Sequence, residues 1–212
     1  MTSAKQMPAS QVSGLGSQAP TNTIRDVIRE RLDSWWQEGW QPVSRAALVG
    51  WMGFYALFLL YASANRDGFL FVDNVNLVVH EAGHLLFGWT ENFLLGVWGG
   101  TLLQWLVPLA LAATFFVRRQ TTGFAFCLFF FFENLLYSAV YMADARKMEL
   151  PLVTVGDADP DFTGHDWNII FSSLGILHQD TAIAAAVRAA GWLGMLATVV
   201  WLGWRGRRAS SF

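Results

Sequence analysis

The sequence predicts an all-α, polytopic membrane protein, a helical bundle of about five spans preceded by an amphipathic helix. Three observations carry this reading. Apolar residues make up 54% of the 212-residue chain, and charge is concentrated between long apolar runs. Those runs are each close to the roughly 20 residues that a helix needs to cross a bilayer core. The even, alternating pattern of barrel strands is absent, which leaves helices, whose backbone groups are satisfied internally, as the spanning element.

Residues 1–21 are rich in Ser, Gln, Gly, Pro and Thr. Such a stretch buries too little apolar surface to offset chain entropy, so a disordered tail is expected. In residues 22–42 the pattern changes. Ile24, Val27, Ile28, Leu32, Trp35 and Trp36 recur at helical spacing, with Arg25, Asp26, Arg29, Glu30, Arg31 and Asp33 on the other faces. An amphipathic helix is predicted there, suited either to the membrane surface or to the body of the protein.

The membrane domain is expected over 43–205, with spans at 46–64, 69–89, 95–117, 121–142 and 181–204, and a polar tail at 206–212. Tryptophans 51, 89, 98, 192, 201 and 204 fall towards the span ends, where amphipathic rings favour the interface. Orientation is left open by charge. Arg25, Arg29, Arg31 and Arg45 pull the N-terminal side towards the cytoplasm, whereas Arg118, Arg119, Arg205, Arg207 and Arg208 oppose them if all five segments cross. Either the chain starts outside or one segment does not fully cross.

The connection from Ala143 to Asp180 is the one sizeable polar segment after the first span, and a structured loop is expected there. Its start, "YMADARKMELPLV", has an extended-looking end suited to strand addition with a substrate peptide, or to a solvated interfacial loop. The lone Cys127 excludes an internal disulfide, and a net charge of −2 supplies no basic stripe for nucleic acid. The expected partners are the lipid bilayer and a membrane-protein or peptide substrate.

Chemistry enters at "LVVHEAGHLLFG", residues 77–88. His80 and His84 are four residues apart, so on a helix both imidazoles share a face about 6 Å apart along the axis. Two nitrogen donors can then converge on one Zn²⁺, and Glu81 is placed to take a proton from a water activated there. Ionisable groups inside a span are costly and mark functional sites. A catalytic zinc needs a third ligand, and position 90, where a soluble H-E-x-x-H-x-x-G-x-x-H protease has its third histidine, is Thr, followed by Glu91. The candidates are His165 and Asp166 in "GHDWN", and Glu133 in "FFFFENLLY". Asn76, one turn before His80, and Gln104 and Asn134 are inward polar groups suited to joining helices or to binding an unwound substrate backbone.

"HEAGHLLFG" resembles the active-site helix of site-2 protease-type intramembrane zinc metallopeptidases, in which H-E-x-G-H lies in a membrane span and a later aspartate completes the zinc site. The resemblance implies His80 and His84 as ligands, Glu81 as general base and Asp166 as the later aspartate. In that family the aspartate precedes a glycine, whereas here it stands before Trp167, which keeps His165 in contention as the ligand with Asp166 orienting it. The expected activity is a membrane-embedded zinc metallopeptidase. Hydrolysis of a lipid or another small substrate, and a non-catalytic metal-binding role, are the alternatives.

Overall fold

A computed structural model describes residues 23–65, 68–151 and 165–209. The expected tail at 1–21, residues 152–164 of the polar connection and residues 210–212 of the C-terminal tail lie outside the described residues. Seven α-helices are present: α1 (Ile24–Gln37), α2 (Arg45–Ala64), α3 (Asp73–Gly88), α4 (Phe93–Val117), α5 (Thr121–Ala143), α6 (Asp166–Ser173) and α7 (Asp180–Ala209). The protein is an all-α membrane protein. Among the described residues there is no strand; residues 144–147 form a turn, and of the extended-looking end at 149–153 the described residues 149–151 are not in a strand, while 152 and 153 lie outside the described residues.

The chain divides into a unit that carries α1 and a unit that begins at Trp40. In the first, Thr23 caps α1 by a reciprocal box: its hydroxyl accepts from the Asp26 N–H, and Asp26 accepts from the Thr23 N–H at 3.0 Å. Those hydrogen bonds from Thr23 hold the Asp26 carboxyl below its usual pKa.

In the second unit, four stretches are helices long and apolar enough to cross a membrane: Arg45–Ala64, Phe93–Val117, Thr121–Ala143 and Leu177–Arg207. α2 runs parallel to α5. Trp51 packs on Phe126 at 5.8 Å, Tyr55 on Phe129 at 4.6 Å and Phe58 on Phe130 at 5.5 Å between ring centroids. The chain then turns back into the bundle, with Phe69 against Tyr137. α3 starts beside the middle of α5, where Asn76 Nδ2 donates to Glu133 Oε2 at 3.1 Å, and climbs until His80 meets Tyr141.

The expected span at 69–89 is therefore a 16-residue helix of about 24 Å, against a hydrocarbon core of about 30 Å. It begins inside the bundle and leaves by the face at which α2 ends. α4 descends antiparallel to α3, and α7 returns from Asp180, which is ion-paired to Arg146 at 2.7 Å. At the far end Trp40 packs on Phe116, Phe124 and Trp201 at 4.9 to 5.6 Å.

This topology sorts the charges. The face where α2 and α5 begin and α4 and α7 end carries Arg45, Arg118, Arg119, Arg205 and Arg207. The opposite face carries the α5–α6 connection, with Asp144, Arg146, Lys147 and Glu149. A buried cluster of Val97, Met142, Ala145, Trp167, Ile170, Phe171 and Ala184 seats α6 near that second face.

Candidate metal centre

The site is built where α3, α4 and α6 meet. α3 and α4 touch backbone to backbone, since a Cβ added at Gly83 would lie 2.2 Å from the Gly99 carbonyl oxygen. Gly100, the next residue, faces the histidines. A Cβ there would stand 2.6 Å from Nε2 of both His80 and His84, so the absent side chain leaves a small hollow in front of the two ring nitrogens.

Asp166 enters from the other side as the first residue of α6. Three contacts set its position. Its N–H donates to the Tyr141 hydroxyl at 3.1 Å, Asn168 donates to the Ala145 carbonyl at 2.8 Å, and Trp167, Ile170 and Phe171 are buried in the cluster beneath. Asp166 Oδ2 consequently lies 2.9 Å from His80 Nε2 and 3.2 Å from His84 Nε2. Among the described residues, His80, His84 and Asp166 form the one group of three that could hold a metal ion, with donor atoms all within 4.8 Å of one another.

The outer nitrogens have partners of their own. His80 Nδ1 meets Gln104 Oε1 at 3.1 Å, and His84 Nδ1 meets the Gly96 carbonyl at 2.9 Å. Both acceptors are oxygens, so the tautomer with its proton on Nδ1 satisfies each of these contacts. In that tautomer each ring has a lone pair at Nε2 that a metal ion can use. Asp166 Oδ2 and the two Nε2 atoms are then three donors turned towards one point, a set that a cation can bridge in place of shared protons. The donor set and the hollow at Gly100 together fit a bound metal ion.

Glu81 occupies the same turn of α3 as His80. It is half-buried and within electrostatic range of His80, His84 and Asp166. It is not one of the three converging donors, in keeping with the separate role expected for it.

His165, a candidate ligand from the sequence, does not join the cluster. Its Nε2 donates to Asp144 Oδ2 at 3.2 Å, and its ring lies 4.1 Å from that of Tyr141. His165 is 1% exposed, and burial holds its imidazole below the usual pKa, favouring the neutral form. Asp144 also accepts from the Glu149 and Leu150 N–H groups, so His165 ties the residue before Asp166 to a folded loop. Glu133 stands apart too, with Asn76 donating to both it and Asp73. Asn76 thus joins helices and does not reach a ligand. Gly96, Gly100, Tyr141 and Asp144 were not singled out from the sequence. The "GG" pair at 99 and 100 in an apolar run signals close helix approach, while nothing local to Tyr141 or Asp144 points to the site.

Comparison with protein-family models, with curated proteins and with solved structures finds no match for the chain.

Proposed function

We propose that the chain is a membrane-embedded zinc metallopeptidase that hydrolyses peptide bonds in or near the bilayer. The observation that carries the reading is the convergence of His80 Nε2, His84 Nε2 and Asp166 Oδ2, beside a carboxylate one residue from the first histidine. Two imidazoles and a carboxylate are the donor set of many catalytic zinc sites, which keep a fourth position open. Zinc held there supplies a Lewis acid for a carbonyl and lowers the pKa of a water.

The chain's own residues divide the remaining work. Gln104 and the Gly96 carbonyl orient the two imidazoles, Tyr141 and α6 hold Asp166, and Gly100 keeps the space clear. Glu81 takes the proton released from the attacking water and hands it to the departing amine. The H-E-x-G-H likeness to site-2 protease-type enzymes supports a peptide as the substrate.

The test is the purified full chain against Glu81→Gln. About one zinc per chain in both proteins, with cleavage of a membrane-peptide panel lost only in the variant, is the expected result. No zinc in the wild type after zinc is supplied, or native cleavage by Glu81→Gln, overturns the reading. Glu81-dependent turnover of phospholipid with no peptide cut replaces it with a lipid hydrolase.

A further inference from the structure

A groove between α3, α4 and α5 has a polar floor that the metal centre only half uses. Its walls include Val72, Val75, Val107, Pro108, Leu111 and Phe130, around a cavity of about 250 Å³. Val75 and Leu111 are 62% and 49% exposed, so the groove opens sideways between helices, on the lipid-facing surface.

Gln104 and Asn134 both line this groove, at 2% and 4% exposure. Each spends one end of its amide. Gln104 Oε1 accepts from His80, leaving Nε2, a donor, with no partner. Asn134 Nδ2 donates to the Phe130 carbonyl at 2.9 Å, leaving Oδ1, an acceptor, with none. Pro108, four residues beyond Gln104, has no N–H, so the helix also denies the Gln104 carbonyl its usual donor. Leaving such atoms buried and unpaired is costly, and a ligand with one acceptor and one donor removes that cost.

We infer that this groove is a substrate subsite for an unwound apolar residue of a membrane-spanning peptide, whose carbonyl accepts from Gln104 Nε2 and whose N–H donates to Asn134 Oδ1. An acyl chain suits the walls but satisfies neither amide. A residue in an intact helix has both backbone groups engaged within that helix. A residue released from its helix has both free, and its apolar side chain fits the walls. The inference rests on the peptidase reading, and Gln104 links the two places because it contacts His80 and lines the groove.

The test is photocrosslinking in phosphatidylcholine nanodiscs, with a benzophenone side chain placed at Leu111, in the groove, or at Leu106, which does not line it. The probes are a synthetic polyleucine spanning peptide with a central Gly-Pro break and the same peptide without the break. Selective crosslinking of the broken peptide from position 111 is expected. It falls about fivefold or more, the scale of a lost hydrogen bond, in Asn134→Leu with zinc content unchanged. Val75→Trp, which fills the groove without touching either amide, guards against misfolding of the Asn134 variant and abolishes the same crosslink. Equal labelling of both peptides, labelling of lipid alone, or no loss in either variant overturns the subsite. Zinc content is read on the same samples, so a chain that holds no zinc yet crosslinks selectively removes the peptidase reading and leaves the groove as a peptide site.

Discussion

Gln104 Oε1 lies 3.1 Å from His80 Nδ1, so a side chain on α4 orients a ring on α3. In the tautomer that satisfies this contact, the ring's other nitrogen has a lone pair for the proposed metal. Replacing Gln104 by Leu removes this partner while keeping an apolar side chain of similar length. Zinc affinity is expected to fall about 10- to 100-fold, measured by chelator competition on the purified protein. Unchanged affinity shows that the ring is held by α3 alone.

Gly100 offers a test by addition. Gly100→Ala puts a methyl 2.6 Å from both ligand nitrogens, and zinc content is expected to drop to background in elemental analysis. Gly50→Ala, where an added Cβ meets nothing within 4 Å, is the matched control and keeps its zinc. Retention of a full zinc by Gly100→Ala means that the metal lies elsewhere.

The three candidate third ligands separate cleanly. Asp166→Ala is expected to lose zinc, while Glu133→Ala and His165→Ala keep it. His165→Ala leaves the Asp144 carboxylate without its imidazole donor and is expected to destabilise the fold by about 1 to 3 kcal/mol. Thermal melting of the detergent-solubilised chain reads that second effect. Loss of zinc in His165→Ala at unchanged melting temperature reverses the assignment.

Orientation follows from the basic face. Cytoplasmic segments carry the excess of Lys and Arg, so the expected orientation has Arg45, Arg118 and Arg205 in the cytoplasm and the α5–α6 connection on the other side. In a Cys127→Ala background, an impermeant maleimide applied to intact cells is expected to label Met148→Cys, which is 54% exposed at the opposite face. Arg118→Cys is expected to label only after lysis. The reverse pattern inverts the topology.

Much of this was legible beforehand, for identifiable reasons. Four spans follow from apolar length, and the His80–His84 pair with Glu81 follows from helical spacing, because both are local properties. The short reach of α3 was not legible. Hydropathy counts the apolar residues in 69–89 but is blind to where the helix begins, and Asn76 meeting Glu133 fixes that starting point. With α3 too short to count among the four long apolar helices, Arg45, Arg118, Arg119, Arg205 and Arg207 fall on one face. Choosing Asp166 over His165 required knowing which way two adjacent side chains point. That is decided by Tyr141 and Asp144, at the end of α5 and just beyond it.

The place where α3 starts also bears on how the protein is made. A helix that neither begins nor ends at opposite surfaces of the bilayer cannot be handed to lipid as an ordinary span when it leaves the ribosome. Glu133, to which Asn76 is anchored, is synthesised 57 residues later. The contact that fixes the start of the helix bearing His80 and His84 therefore forms only once α5 has been translated. Asp166 is made later still, so the three donors of the proposed metal centre come together only after α5 and α6 have been translated.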